Sequence, residues 1–347
     1  MMEYRLLTAS EVNQDDLHNF LLRFFGKEKS NFLSMHGEWL HVSNNNRWVI
    51  LDKTNIVGYC AIIPTKISFN EKMFPALWWV DIIIAPEYRG HGLQSIFDKK
   101  IQESKSIKLG FPNEVAARIH RKHGWGVRED LEVRLLPLKP TRVYQVRCAT
   151  GLRAVKFKTL AVLISPVMLV YKYMMRKKRT SKVVQIDDPH AAIFSDIYHR
   201  YPCNNLTTTV RDEDYFNHQF ITSPVRHELS FYTYGPLQKP THYLIARKFD
   251  RDGEQTIRIL DLYGNFNDRR GVRELIHRII EEAIELRVAQ ITVMATDGEI
   301  KKLLSQLGFL IKTRVRFCWK SYYDMAMDNF DGNVYWTLAD SDNDEID

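Results

Sequence analysis

Residues 79–95 read WVDIIIAPEYRGHGLQS and decide the fold. The run from Trp78 to Ala85 is apolar, β-branched and aromatic, which predicts a strand covered on both faces, and Pro86 ends it. The apolar residues behind the glycines recur at helical spacing: Leu93, Ile96, Phe97 and Ile101. Two glycines before a helix let the backbone N–H groups of residues 91–95 point at one centre, where the helix dipole adds positive potential. The stretch therefore predicts a strand, a turn and a helix that bind a phosphate or pyrophosphate.

The turn Arg89-Gly90-His91-Gly92-Leu93-Gln94 resembles the acyl-CoA signature of the GNAT N-acetyltransferase superfamily, Gln/Arg-x-x-Gly-x-Gly/Ala. In that family the turn amides hold the CoA pyrophosphate. Arg89 and Gly92 match the signature, whereas Gln94 stands where Gly or Ala is usual. Taken alone, such a turn is also explained by a tight strand–helix connection without a ligand.

A second motif lies downstream, where residues 113–125 resemble the GNAT pattern Asn-x-x-Ala-x-x-x-Tyr-x-x-x-Gly-Phe. Asn113, Ala116, Gly124 and Trp125 fit in register, and His120 takes the place of the tyrosine. In the family that tyrosine is often the general acid that protonates the departing CoA thiolate. An imidazole can also deliver a proton, so we predict that His120 is the acid; the alternative is a polar helix residue that faces solvent.

The resemblance implies direct transfer of an acetyl group from acetyl-CoA to an amine, with a hydroxyl as the alternative acceptor. A backbone N–H of the strand would stabilise the oxyanion that develops on the thioester carbonyl. The second domain is expected to face the acceptor. The predicted cofactor-binding residues are Ile82, Ile83, Ile84, Arg89, Gly90, His91, Gly92, Leu93, Gln94, Ser95 and Asn113.

The general base is not fixed by spacing. Asp81 is the first candidate, although it is equally explained as an anchoring carboxylate at a strand edge. Glu38 and His36, in a stretch that we predict to be a loop, and Glu114 are further candidates. No His-Glu-x-x-His or Cys-x-x-Cys spacing occurs, so no metal is expected.

The second half repeats the order of the first: Asp261 aligns with Asp81, Arg269 with Arg89, and Gly308-Phe309 with Gly124-Trp125. The second copy lacks the glycine turn and has Leu304 in place of His120. We therefore predict an α/β (α+β) fold of two tandem GNAT-like domains, each a mixed, mostly antiparallel twisted sheet flanked by helices. The predicted ranges are 1–138 for acyl-CoA binding, 139–186 for a linker and 187–347 for a degenerate acceptor-side copy.

The linker is basic, because residues 133–186 contain 13 Lys or Arg and no Asp or Glu, whereas the whole chain has a net charge of +7. Its apolar run, residues 159–171, is shorter than the roughly 20 residues that span a bilayer. A helical bridge packed on one or both domains is the first interpretation. Peripheral contact of residues 153–182 with an anionic membrane is the second, and nucleic-acid binding is the least supported because no readout motif accompanies the charge.

The chain has 347 residues, enough for two cores, and its four cysteines show no disulfide or metal spacing. With no signal-peptide pattern at the start, we expect a cytoplasmic protein, with a peripheral position at the inner face of the membrane as a further option. With its tandem arrangement, the residues Gly110-Phe111-Pro112-Asn113, an Arg-Asp-x-x-Tyr block at 211–215 and residues 336–342, the chain resembles bacterial double-GNAT proteins. That similarity implies a link to surface polysaccharides, with an amino sugar as acceptor. Trp336 and Asp340 or Asp342 would then hold the acceptor; a solvated terminus is the alternative. A non-catalytic binding protein and a transferase that uses aminoacyl-tRNA are the competing functions, and the oligomeric state is open.

Overall fold

The computed structural model describes residues 4–140, 142, 165–175, 182–202, 206–236, 238–251, 253–322, 330 and 334–342. The chain divides into two compact units. Unit 1 comprises Met1–Arg128 with Arg316–Gly332, and unit 2 comprises Glu129–Val315 with Asn333–Asp347. Each unit is therefore assembled from two separate stretches of sequence, which differs from the contiguous ranges 1–138 and 187–347 predicted above.

Unit 1 is a mixed sheet flanked by helices. Its strands follow the order β1-β2-β3-β4-β5-β13, and neighbours are antiparallel except for the parallel pair β4 and β5. The elements are β1 (Tyr4–Thr8), α1 (Gln14–Leu40), β2 (Arg47–Asp52), β3 (Asn55–Phe69), β4 (Lys72–Ile84), α2 (Gln94–Gln102), β5 (Ile107–Gly110), α3 (Glu114–Lys122) and the end of β13 (Leu310–Lys320).

The predicted strand, turn and helix of residues 78–101 are confirmed as β4, the glycine turn and α2. The apolar side of α2 lies in the core, where buried Phe97 and Ile101 pack with Trp79 and Trp125. Burying large aromatic side chains of this kind is the main source of stability in such a core. The helix that carries the glycine turn is thus fixed to the sheet.

Helix α1 corrects one expectation, since His36 and Glu38 lie inside it and not in a loop. Gly37, between them, lies in the helix as well, and its lack of a side chain allows close packing. A Cβ there would lie 2.8 Å from Cζ of the buried Arg47. The real interruption of α1 is Gly26, whose φ of 76° is in the left-handed region.

Unit 2 has the same strand arrangement, in the order β7-β9-β10-β11-β12-β6, with β11 and β12 as the parallel pair. A further parallel pair joins β8 and β14. Its elements are β6 (Gly126–Pro137, entering from unit 1), β7 (Val183–Ile186), α4 (Ala191–Arg200), β8 (Thr207–Thr209), α5 (Glu213–Phe216), β9 (Leu229–Tyr234), β10 (His242–Arg251), β11 (Glu254–Gly264), α6 (Arg269–Glu285), β12 (Gln290–Ala295), α7 (Gly298–Gln306) and β14 (Val334–Tyr335).

Part of the predicted linker is helical over residues 165–175. Tyr171 donates its hydroxyl to the Leu307 carbonyl at 2.9 Å, and Met175 is buried, so one face packs on unit 2. The opposite face is apolar and exposed, which the predicted bridge did not include. The rest of the range 139–186, apart from residues 139, 140, 142 and 182–186, lies outside the described residues. In the described parts of the chain, no helix has the length and apolarity that crossing a bilayer requires.

Candidate active site

The glycine turn has the backbone conformation that the sequence predicted. After Ile84 a short 3-10 turn, Pro86–Tyr88, leads into Gly90 and Gly92, with φ of 85° and 77°. A Cβ at either glycine would meet nothing within 4 Å, so glycine is required there for its conformation and leaves the space above the turn open. Helix α2 begins at Gln94 without a side-chain cap.

The turn presents free amide donors. Among the hydrogen bonds of the described residues, the N–H groups of His91, Gly92, Leu93 and Gln94 have no acceptor. Ser95 differs from the expectation, since its N–H and its hydroxyl both donate to the Gly92 carbonyl, at 3.0 and 2.6 Å. Successive free amides at a helix start form a binding site for an anion, because the helix dipole favours negative charge there.

Three tethers hold the turn in place. Arg89 donates Nε to the Ile84 carbonyl at 3.1 Å, and the Tyr88 hydroxyl donates to Asp52 at 3.0 Å. Glu87 forms an ion pair with Arg23 of α1 at 3.2 Å, which is exposed and so contributes little. The turn is connected to β4, β2 and α1 before any ligand binds.

Strand β4 is irregular next to the turn. Asp81 and Ile82 lie opposite the single residue Cys60 of β3, which makes a β-bulge, and Asp81 has a φ of 57°. A left-handed backbone at a residue other than glycine is strained, and such strain is concentrated at functional sites. The pairing of β4 with β5 covers only Ala76–Trp78, so the strands separate before the bulge.

Asp81 forms a buried ion pair that the sequence did not indicate. Its carboxylate lies 2.6 Å from Nζ of Lys29 on α1, and the two side chains are 2% and 23% exposed. Tyr59 lies nearby on β3 and accepts a hydrogen bond from Arg47 at 3.1 Å. Burial raises the pKa of Tyr59, and the Asp81 charge raises it further although Arg47 opposes this. Tyr59 therefore stays protonated at neutral pH.

His120 lies in an aromatic pocket and not in solvent. Its ring centroid is 4.5 Å from that of Trp125 and 5.6 Å from that of Trp79, and the residue is 4% exposed. Desolvation lowers the pKa of His120 to about 4, helped by His123 and Lys320. The imidazole is therefore neutral at pH 7, and it must first take up a proton before it can deliver one.

The remaining predicted residues have defined positions. Asn113 is the N-cap of α3, and its side-chain oxygen accepts the Ala116 N–H at 2.9 Å, which leaves its amide nitrogen for another partner. Glu114 is exposed and lies 3.5 Å from Arg118. His36 packs against Phe32, and Glu38 is exposed on the same helix. Among the candidate bases, Asp81 alone lies at the bulge.

The corresponding region of unit 2 is filled by its own chain. Strand β11 has a bulge at Leu260, and its pairing with β12 ends at Ile259. Residues 334–342, which we call the C-terminal segment, lie there: Ala339 donates its N–H to the Leu260 carbonyl at 3.0 Å, and Trp336 donates to Thr296 at 3.1 Å. The opening between these two strand ends is thus occupied.

A buried ionic network fixes the C-terminal segment. Arg211 contacts Asp261 at 3.0 Å and Asp340 at 3.3 Å, with all three side chains fully buried. Burial raises the pKa of Asp340, which the Arg211 charge opposes. Trp336 is also buried, and the Asp340 carboxylate is already engaged inside unit 2. The alternative of a solvated terminus over residues 340–347 is therefore wrong for Asp340 and Ser341, while residues 343–347 lie outside the described residues.

The described residues include two of the four cysteines. Cys60 and Cys318 are buried free thiols, and burial raises the pKa of both. Cys148 and Cys203 lie outside the described residues. No group of three or more His, Cys, Asp or Glu suited to a metal occurs in the part of the chain that the structure describes.

Comparisons with known proteins found one matching family model and several structures of similar fold. Residues 3–128 match the family model described as an acetyltransferase (GNAT) domain. A GCN5-related N-acetyltransferase from Anabaena variabilis has a TM-score of 0.61 at 17% identity, over 92% of this chain and 73% of that one. A Saccharomyces cerevisiae N-myristoyltransferase with bound myristoyl-CoA gives 0.60 at 12%, over 92% and 83%.

A third structure, a probable N-acyltransferase from Enterococcus faecalis, gives a TM-score of 0.60 at 13% identity, over 93% of this chain and 73% of that one. No protein of curated function matches in sequence. Identities this low establish the fold alone. We conclude that the chain has a mixed α/β fold like that of these acyltransferase structures and that residues 3–128 are similar to the acetyltransferase (GNAT) domain model.

Proposed function

We propose that the protein is an acyltransferase that moves an acetyl group from acetyl-CoA to an amine. The observation that carries the proposal is the set of free amides at His91, Gly92, Leu93 and Gln94, next to a bulged strand that separates from its neighbour. The amides would bind the CoA pyrophosphate. The edge of β4 at Ile82–Ile84 would bind the pantetheine arm through backbone hydrogen bonds.

The chemistry is direct transfer. The amine nitrogen attacks the thioester carbon, the carbon–sulfur bond breaks, the ammonium proton goes to a base and the thiolate receives a proton. A backbone N–H at the bulge would stabilise the oxyanion. Asp81 is the proposed base, because its carboxylate is buried at the bulge and paired with Lys29. His120 is the proposed acid: its ring is neutral at rest, so it would take up a proton during the reaction and pass it to the thiolate, which returns the ring to the neutral form.

The tandem arrangement is part of the proposal. Both units have the same strand order, with a bulge in the first strand of the parallel pair and a helix after that strand. Because the C-terminal segment fills the opening in unit 2, only unit 1 is proposed to bind acetyl-CoA. An amino sugar of a surface polysaccharide precursor is the proposed acceptor, and the cytoplasm is the proposed location.

The donor site is tested by isothermal titration of acetyl-CoA into the wild type and a Gly92→Glu variant. We expect binding to the wild type and at least about a tenfold loss in the variant, because a carboxylate would fill and repel the pyrophosphate site. Gly253→Glu is a matched control, since Gly253 also has a φ near that of Gly92, 75°, and open space around its Cβ position. Equal binding by wild type and Gly92→Glu, or none by the wild type, would support the non-catalytic alternative.

We also propose peripheral contact with an anionic membrane. Val167, Leu169, Val170 and Met174 are 57–67% exposed on one face of the 165–175 helix. Lys or Arg residues are dense in the sequence on both sides, and an apolar face with basic flanks is typical of interfacial helices.

Co-sedimentation with vesicles tests this contact. We expect binding to phosphatidylglycerol vesicles and little to phosphatidylcholine vesicles, because both the charge and the apolar face contribute. The double change Leu169→Glu and Val170→Glu should abolish it. Met35→Glu, which changes an exposed apolar residue in unit 1, should not. Equal binding of all variants would refute the role of this face.

A further inference from the structure

Unit 2 contains a cleft that the proposed acyl transfer does not use. Its volume is about 270 Å³, near the lower end for small-molecule sites, and it lies between the first turns of α6 and the body of α7. It is lined by Leu206, Phe266, Arg269, Val272, Arg273, Asp297, Glu299, Ile300, Lys302, Leu303 and Gln306.

The floor of the cleft is apolar. Val272 of α6 and Ile300 and Leu303 of α7 are buried, and Leu206 and Phe266 are half-buried at its side. Apolar lining with a few polar groups at the rim is the usual composition of a site for a small organic molecule. The floor therefore favours a ligand with a short apolar part.

The rim of the cleft carries more positive than negative side chains. Arg269 and Glu299 form an ion pair at 2.7 Å, and the Asp297 carboxylate accepts the N–H groups of Glu299 and Ile300. Both acids are thus engaged. Arg273 donates only to the neutral Gln306, at 3.2 Å, and Lys302 has no ion pair in the described residues. Asp297 keeps its negative charge, so the three cations and two carboxylates of the lining leave a net charge of +1.

The fold limits the size of the ligand. The C-terminal segment already occupies the opening between the ends of β11 and β12, through Ala339 and Trp336. A long ligand cannot run between those strands. The space that remains for a ligand is the cleft between α6 and α7, which ends at the cationic rim.

We propose that this cleft binds a small amphipathic phosphate ester, with its apolar part on Val272, Ile300 and Leu303 and its phosphate at Arg273 and Lys302. The site would be separate from the acetyl-CoA turn of unit 1. A test of this cleft therefore does not depend on whether the acyltransferase proposal is correct.

The test is titration of hexyl phosphate into the full-length protein, with inorganic phosphate and 1-hexanol as the two partial ligands. We expect hexyl phosphate to bind best, since it alone satisfies floor and rim. Lys302→Glu should weaken it about tenfold, because an attractive charge becomes repulsive. Lys301→Glu makes the same change of charge one residue away, outside the lining, and should have less than about a twofold effect.

Three results would overturn the proposal. Hexyl phosphate that fails to bind the wild type excludes the site. If Lys301→Glu and Lys302→Glu weaken the binding of hexyl phosphate equally, the loss comes from the change in net charge and not from a contact with Lys302. If 1-hexanol binds as tightly as hexyl phosphate, the rim does not bind the phosphate. If inorganic phosphate binds as tightly, the floor does not bind the hexyl chain. Acetyl-CoA titration of Lys302→Glu, expected to match the wild type, shows that unit 1 is intact.

Discussion

Asp81 joins three features at one residue: a bulge, a left-handed backbone and a buried ion pair with Lys29. The sequence made Asp81 a candidate base, because it lies in the strand before the glycine turn. It gave no indication of Lys29, since that contact joins α1 to β4 across a long stretch of chain. Contacts made by tertiary packing leave no local pattern, so the partner of Asp81 could be found only from the structure.

The Lys29–Asp81 pair predicts a double-mutant cycle. Lys29→Met should lower the free energy of unfolding by about 1–3 kcal/mol, because it leaves a buried carboxylate without its cation. Adding Asp81→Asn should restore most of that loss. Denaturant titration measures stability, and turnover should fall about 100-fold or more in both variants that lack Asp81. Turnover of Asp81→Asn close to that of the wild type would assign Asp81 an anchoring role only.

His120 predicts a pH effect on stability. Its pKa is lowered to about 4 in the folded protein, so the unfolded chain, with a His pKa of ~6.5, takes up a proton first as the pH falls. This contribution is complete above pH ~6.5 and is lost on going toward pH 4. From pH 7 to pH 5 the wild type should lose about 2 kcal/mol more than His120→Phe.

The measurement for His120 is the free energy of unfolding at both pH values. His227→Phe is the control, since His227 is exposed in unit 2. The same pH dependence in the wild type and in His120→Phe would show that the pocket does not desolvate the ring.

Among the helices and strands, β4 and α2 could be predicted from the sequence, whereas the continuity of α1 through Gly37 could not. Strand β4, the turn and α2 followed from an apolar run, two glycines and helical spacing. The loop predicted at residues 36–39 is wrong, because Gly37 is buried under Arg47 in the middle of α1. A glycine breaks a helix in one setting and permits close packing in another, and the sequence does not separate the two.

Two substitutions of Asn113 can separate its role as the N-cap of α3 from its proposed contact with acetyl-CoA. Asn113→Ala should lower the free energy of unfolding by about 1 kcal/mol, since the Ala116 N–H loses its acceptor. Asn113→Asp keeps an acceptor oxygen and should keep the stability. Both changes remove the amide donor, so both should weaken acetyl-CoA binding in a calorimetric titration. Full affinity in Asn113→Asp would restrict Asn113 to capping.

At the scale of the whole molecule, unit 1 is built from two stretches that are far apart in the sequence. Unit 1 includes Arg316–Gly332, whose Cys318 pairs with Gly110 of β5, and Phe317 and Trp319 pack in its aromatic core. Sequence repeats predict an order of elements, but they assign each strand to the half in which it is encoded. Strand pairing between distant segments depends on tertiary structure, and so the discontinuous composition was missed.

A fragment that ends at residue 138 should therefore be incomplete. We expect it to unfold at a midpoint temperature at least about 10 °C below that of the full chain, since β5 loses an edge partner and Trp78 loses its contact with Phe317. Circular dichroism on heating measures this. Addition of a peptide of residues 310–332 should raise the midpoint. A fragment as stable as the full chain would restore the predicted boundary at 138.

The split of unit 1 also bears on synthesis of the protein. A ribosome that makes about 5–20 residues per second needs roughly 10–40 s to go from β5 to the end of β13. During that time the N-terminal part has emerged but lacks the strand that completes its sheet, so its apolar edge stays available to chaperones and to other nascent chains. Premature termination or slow codons within residues 140–310 should therefore harm the N-terminal half, although they lie outside it.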